Sequence, residues 1–260
     1  MKNIVRLLLF SFAVLTTSGF YCNANDNSFF PDVVKEVTKG TVAIAINAPI
    51  KHTAPRILGT GFVVGEGKYV VTNYHVVSEP LDPTIVEDYV VLSGEGKKVK
   101  MLKGTVEYID PQHDIALIVL SEPLTPLVLA DESLLPAGTE IAFTGFPIGA
   151  ILGLFPATHR GYISALTPDA IPAKNSDQLT LEMMKRLLDT SKIYQLDATA
   201  YPGNSGSPVY DIHSGKVVGI INKVIVKDTK ESALSTPSGI SYAIPVMFIQ
   251  QLISRAEGKQ

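Results

Sequence analysis

An all-β fold is predicted for this chain from three observations. Short runs of β-branched and aromatic residues recur along it, turns containing glycine or proline separate them, and the spacing between them is regular. That combination argues for barrels or a sandwich. In order, Thr41 to Ile46, Gly61 to Val64, Tyr69 to Thr72, Tyr89 to Leu92, Lys98 to Val106 and Ile115 to Leu120 read as strands. Gly65-Glu66-Gly67, Ser93-Gly94-Glu95-Gly96 and turns with proline bound them, residues that supply the backbone angles tight turns demand.

Ser121-Glu122-Pro123-Leu124-Thr125-Pro126 then reads as a crossing between two lobes. A second set of strands follows, at Leu127 to Leu129, Glu140 to Thr144, His159 to Leu166, Lys192 to Asp197, Ser207 to Tyr210, Val217 to Ile225 and Gly239 to Ala243. Two helices interrupt this pattern. Asp177 is placed to cap a segment from Gln178 to Leu188, with Leu179, Met183, Leu187 and Leu188 at helical spacing. It reads as a cover on the second lobe, or as a lid or subunit contact near the cleft. The other helix runs from Pro245 to Arg255 with Val246, Ile249 and Ile253 on one face.

The N-terminus has the form of an export signal. Lys2 and Arg6 precede an apolar run from Leu7 to Leu15, and Cys22-Asn23-Ala24 suits cleavage after Ala24. The run is far short of the roughly 20 residues needed to span a bilayer. Cleavage there removes the chain's one cysteine and leaves 236 residues, 20 basic and 25 acidic. The expected mature protein is therefore free of disulfides, has no membrane span, and is periplasmic or secreted from a bacterium. With no basic block or aromatic-basic stripe, the composition argues against nucleic acid as a partner. The expected division is a signal peptide over 1–24, a first lobe over 25–126 and a second over 127–260.

The most informative stretch is Pro202-Gly203-Asn204-Ser205-Gly206-Ser207-Pro208. A serine flanked closely by glycines can be lifted out of a turn and approached by a substrate carbonyl. Its hydroxyl becomes a nucleophile only when a base takes its proton. The candidate base is His75, in Val70-Val71-Thr72-Asn73-Tyr74-His75-Val76-Val77, on what reads as a strand edge. The candidate carboxylate is Asp114, in His113-Asp114-Ile115-Ala116-Leu117. His113 is a rival for the histidine, but its neighbour Asp114 points to the opposite face of a strand.

These segments, in the order His, Asp, Ser, resemble the trypsin-like serine peptidases, and most closely the bacterial HtrA (Deg) branch. The resemblance runs from about Thr38 to Ile253 and includes Gly59-Thr60-Gly61-Phe62-Val63-Val64 and Gly145-Phe146-Pro147-Ile148-Gly149. The order distinguishes it from subtilisin-like and α/β-hydrolase arrangements. The histidine and aspartate are 39 residues apart and the serine follows 91 later, which suits two roles on one barrel and the third on the next. The resemblance implies a chymotrypsin-like fold of two six-stranded antiparallel barrels with the cleft between them, the protease domain closing on a helix. HtrA proteins usually continue into peptide-binding PDZ domains, whereas this sequence stops at Gln260, so a stand-alone protease unit is expected.

By the same resemblance, His75 is the general base, Asp114 orients it, Ser205 is the nucleophile, and the N–H groups of Gly203 and Ser205 form the oxyanion hole. Ser207 replaces the glycine of many relatives. In HtrA relatives the loop before the serine switches between formed and collapsed holes. Pro202 fixes its own φ and pushes Tyr201 towards extended angles, and is expected to favour a standing hole. Trypsins carry an aspartate six residues before the nucleophile; here that position is Thr199. Asp197, two residues earlier, reads as structural. A small or aliphatic residue before the scissile bond is expected, with Thr199, Ile221 and Asn222 contacting it and walls from Gly145 to Gly161 and Ile220 to Ser238.

The expected activity is that of an exported serine endopeptidase acting on polypeptides through an acyl-enzyme, with neither metal nor organic cofactor. The alternatives are a chaperone or binding protein that keeps the fold with little turnover, and an esterase using the same nucleophile. The proline-containing loop from Ala48 to Arg56 reads as a surface turn or as a homo-oligomer contact.

Overall fold

The computed structural model of the protein describes residues 29–147, 153–169, 191–224 and 239–258. Twelve strands form two closed antiparallel barrels. The first holds β1 (Thr41–Asn47), β2 (Arg56–Val64), β3 (Tyr69–Thr72), β4 (Asp88–Glu95), β5 (Lys98–Asp110) and β6 (Ile115–Leu120), in the order β1-β2-β3-β6-β5-β4. The second holds β7 (Glu140–Gly145), β8 (Ala157–Pro168), β9 (Lys192–Asp197), β10 (Pro208–Asp211), β11 (Val217–Val224) and β12 (Ile240–Pro245). Its ring order, β10-β11-β12-β9-β8-β7, repeats the first when numbered from its own first strand. Closure of both rings removes the exposed edges that an open sheet would present.

Each barrel has its own core. Val42, Ile44, Val63, Val70, Val91 and Ile118 fill the first, and Ile141, Phe143, Ile163, Tyr194, Leu196 and Val209 fill the second. Between them, Phe62, Val71, Ile115 and Leu117 of the first barrel meet Val217, Ile220 and Ile244 of the second. This seam explains why β6 reads as a near-continuous apolar run, and β1 reads so because Ala43 and Ala45 on its outer face pack against Phe146 and Leu154: both faces of each strand are covered.

Two terminal helices clasp the barrels crosswise. Helix α1 (Phe30–Gly40) leads into the first barrel but packs Val33 and Val37 against Ala142, Tyr210 and Ile212 of the second. Helix α2 (Val246–Ala256) leaves the second barrel and buries Phe248, Ile249 and Leu252 in the seam with Phe62, Val71 and Ile115. The terminal helix was expected from its apolar spacing; α1 was not. Its signals are legible in retrospect: Pro31 near its start, Asp32 in the first turn and Lys39 in the last.

The predicted strand at Leu127 to Leu129 is corrected. It makes a single isolated parallel bridge, Leu129 to Val217, and Leu127 N–H donates instead to Val63 of the first barrel. The segment crosses the seam and so cannot run along one sheet. Strands β2 and β5 are longer than the sequence suggested, starting at Arg56 and ending at Asp110. The segment after Ala48 is a turn, with Lys51 and His52 N–H groups donating to the Ala48 carbonyl. The predicted signal peptide and the helix from Gln178 to Leu188 lie outside the described residues.

Candidate active site

His75 does not sit on a strand edge. Strand β3 ends at Thr72, Asn73 is extended, and Tyr74–Val76 form one 3-10 turn. Val76 and Val77 are buried in the first core, which anchors the turn and leaves the His75 side chain 46% exposed. Asp114 lies in the short connection from β5 to β6 and is the one non-glycine residue with positive φ, 53°, among the described residues. Such a conformation costs about 1–3 kcal/mol and persists only where the surroundings dictate it.

The surroundings of Asp114 do so. Its carbonyl accepts from Tyr74 N–H at 3.1 Å and from the Asn73 side-chain amide at 3.1 Å. Its carboxylate grips His75 twice: Oδ1 accepts the backbone N–H at 2.8 Å, and Oδ2 accepts Nδ1–H at 2.6 Å. A carboxylate beside Nδ1 selects the tautomer that carries its proton there, so the lone pair of Nε2 is free to accept a proton.

The serine loop is built from its turn chemistry. Asn204 N–H donates to the Tyr201 carbonyl at 2.9 Å, with Pro202 and Gly203 between them and Gly203 at φ 99°. Proline second and a positive-φ glycine third is the type II pattern. Gly206, at φ 89°, donates its N–H to the Ile221 carbonyl at 2.9 Å. A Cβ there would collide with the Thr60 carbonyl and come within 2.7 Å of Thr72 Oγ1, so only glycine fits. Among the described residues, the N–H groups of Gly203 and Ser205 have no backbone acceptor.

The two barrels meet at β2. Thr60 N–H donates to the Ser205 carbonyl at 2.8 Å. A Cβ on Gly59 would stand 2.9 Å from that same carbonyl and 3.0 Å from a methyl of Val76. The Ser205 loop and the His75 turn therefore pack against a single point of β2. The half-buried Ser205 hydroxyl makes a long contact, 3.4 Å, to the Asn222 carbonyl; hydroxyls of this kind often shift only when substrate binds.

Of the other predicted site residues, Thr199 is half-buried beside the buried Ala198 and Ala200. Ile221 sends its side chain into the second core, and its N–H donates to the Ser207 carbonyl at 2.9 Å. Asn222 presents its backbone carbonyl to Ser205, while its Oδ1 is buried without a partner among the described residues. Sequence reasoning missed Thr60, whose hydroxyl joins the two barrels, although Gly59-Thr60-Gly61 marked the place. It also missed Asp110. Burial disfavours the charged form of that carboxyl, but hydrogen bonds from His113 and Arg255 outweigh the effect and hold it below the usual range.

The family model for the trypsin-like peptidase domain matches residues 59–220, more than half of the chain. A Chlamydia trachomatis protein named "Probable periplasmic serine endoprotease DegP-like" is 32% identical over 200 residues, covering 76% of this chain and 33% of the relative. The "Serine protease Do-like HtrA" of Lactococcus lactis is 31% identical over 197 residues, 74% of this chain and 42% of its own. The chain thus spans about a third to two fifths of the length of these curated relatives. Among solved structures, the active form of the Rv3671c protease from M. tuberculosis aligns with TM-score 0.61 at 23% identity, over 85% of this chain and 82% of that one. Deg5 aligns with TM-score 0.61 at 22% identity, over 87% and 93%; at these identities the likeness speaks to the fold. From the matched family model, the chain belongs to the trypsin-like peptidase domain family, with curated relatives of the HtrA and DegP kind.

Proposed function

We propose that this chain is an exported serine endopeptidase in which Ser205, His75 and Asp114 act as one unit. The observation that carries the reading is the double grip of the Asp114 carboxylate on His75, beside a glycine-bracketed serine held on the same strand. In this mechanism Ser205 Oγ attacks the scissile carbonyl carbon as its proton passes to His75 Nε2. Asp114 holds the imidazole in place and stabilises its charged form. The resulting oxyanion lies against the N–H groups of Gly203 and Ser205, where losing one donor costs on the order of 3 kcal/mol of transition-state stabilisation. The proton on Nε2 then goes to the leaving amine, and water releases the acyl group from Ser205 by the reverse sequence.

The substrate class is a polypeptide with a small or aliphatic residue before the cleaved bond, because Thr199 offers no charge to a lysine or arginine side chain. A peptide library cleaved mainly after arginine or lysine would refute that preference. The signal-like N-terminus and the DegP-type relatives named periplasmic support an extracytoplasmic site of action. Among the described residues, no helix is long and apolar enough to cross a membrane.

A fluorophosphonate reagent tests the central reading. It is expected to label the purified protein at Ser205, and Ser205→Ala is expected to lose both the label and peptide hydrolysis. A protein that binds unfolded chains but is never labelled would support the chaperone alternative instead. Hydrolysis of simple esters without any peptide cleavage would support the esterase.

A further inference from the structure

Directly behind Asp114 a second carboxylate grips a second histidine in the same manner. Asp110, at the end of β5, accepts the His113 backbone N–H on Oδ1 at 3.2 Å and faces His113 Nδ1 with Oδ2 at 2.8 Å. Asp114 treats His75 identically, N–H on one oxygen and Nδ1 on the other. His113 and Asp114 are joined by one peptide bond, so the two grips stand in series from Asp110 through to the imidazole of His75.

The inner grip is tied to the rest of the fold on every side. Arg255 of α2 donates to Asp110 Oδ2 at 3.0 Å. Phe248 of α2 stacks on the His113 ring, with centroids 4.1 Å apart and planes 19° from parallel. His113 Nε2 lies 3.2 Å from Ser191 Oγ, just ahead of β9 in the second barrel. The side chains of His113 and Asp110 are only 14% and 10% exposed. Ser191, His113 and Asp110 thus reproduce the atom order of a nucleophile, base and carboxylate. The stacked and covered ring leaves no approach for a substrate carbonyl, which separates this cluster from a second reactive centre.

We propose that the Asp110–His113 grip is a positioning device for Asp114, holding it in the left-handed conformation that aims its carboxylate at His75. The inference rests on the catalytic reading of His75, Asp114 and Ser205. Its physical basis is over-determination. The carbonyl side of Asp114 is pinned by Asn73 and Tyr74, and the residue on its amino side is pinned by Asp110, Phe248 and Ser191. A non-glycine residue at φ 53° stays there only when both sides are held. With the ring of His113 gone, the 110–114 connection is free to relax to negative φ and carry the carboxylate away from Nδ1. Asp110 and His113 act through Asp114 and touch no substrate, and α2 and the start of β9 become part of what aligns the imidazole.

The experiment is steady-state hydrolysis of a peptide substrate, per mole of sites titrated with fluorophosphonate, for His113→Ala, His113→Asn and Ser191→Ala. His113→Ala is expected to lower kcat about 10- to 100-fold with KM within twofold, the scale of a misaligned catalytic group. That split between kcat and KM marks a loss of alignment rather than of substrate binding. His113→Asn, which keeps a donor for Asp110, should recover most of the loss. Ser191→Ala, which removes one hydrogen bond, should cost about threefold, and it keeps the test usable if His113→Ala fails to fold. Wild-type kcat in the His113 variants, or in Ser191→Ala when those do not fold, would overturn the proposal. So would fluorophosphonate on Ser191 in Ser205→Ala. Full turnover in Ser205→Ala would instead strike the catalytic reading on which the proposal rests.

Discussion

The Thr60 hydroxyl donates to the Gly203 carbonyl at 2.7 Å and accepts the Phe146 N–H at 3.0 Å. One buried side chain of the first barrel thereby holds both the loop that carries Ser205 and the end of β7. Thr60→Val keeps the shape and deletes the hydroxyl, leaving the half-buried Gly203 carbonyl and the buried Phe146 N–H without their partner. The expected cost is about 1–3 kcal/mol of stability, with a fall in kcat exceeding any change in KM. Denaturant unfolding and steady-state kinetics on the same preparation check both; unchanged values in each would show that Thr60 organises nothing.

Asp114→Asn separates the electrostatic role of this residue from its backbone role. Asparagine tolerates the left-handed region, so the fold and the thermal unfolding midpoint should stay close to wild type. The amide cannot hold His75 in the required tautomer, and kcat should drop about 10⁴-fold. A variant retaining more than a tenth of wild-type kcat would contradict the assignment.

Pro202→Arg tests whether the turn before Ser205 is held ready. Proline narrows the unliganded loop by about 0.4–1 kcal/mol of conformational freedom, so its loss should slow labelling of Ser205 by about two- to fivefold. Unchanged kinetics and an unchanged loop conformation would remove the idea that Pro202 favours a standing oxyanion hole.

His159 provides a pH test of stability. Burial lowers its pKa, with the ring stacked on Phe143 and tilted against Tyr201. Its Nε2 is buried without a partner among the described residues. The unfolded chain takes up a proton on this ring near pH 6.5, but the folded chain does so only at lower pH. Wild type should therefore lose stability as pH falls through that window. His159→Phe abolishes this component, so its advantage in denaturant midpoint over wild type should be larger at pH 5.5 than at pH 8. A constant difference between the two pH values would show that the folded ring titrates normally.

The strands were legible because their signal is local, whereas their closure into two barrels was implied by the family resemblance. Alternating and continuous apolar runs broken by Gly65-Glu66-Gly67 or Ser93-Gly94-Glu95-Gly96 mark strands wherever they occur, and most boundaries fell close to those predicted. Leu127 to Leu129 failed because an apolar run three residues long looks alike whether it pairs along a sheet or, as here, crosses from one barrel to the other. Helix α1 was overlooked against a β background although Pro31, Asp32 and Lys39 mark its ends. His113 was set aside on the premise that adjacent residues on a strand face opposite ways. The turn that holds it follows no strand alternation, and its partners Phe248 and Ser191 are 135 and 78 residues distant in the chain.

By itself the amino-acid sequence located the strands that make up the barrels, the terminal helix and the three segments in which His75, Asp114 and Ser205 stand. Each of these is written in neighbouring residues, through side-chain period, turn chemistry and motif. Tertiary structure alone decided that Thr60 would bolt the serine loop to the other barrel, that α1 and α2 would clasp the barrels crosswise, and that Asp110 would stand behind Asp114 with Arg255 at its back. Those relations depend on barrel closure and on the register of strands far apart in the chain, which no local pattern encodes.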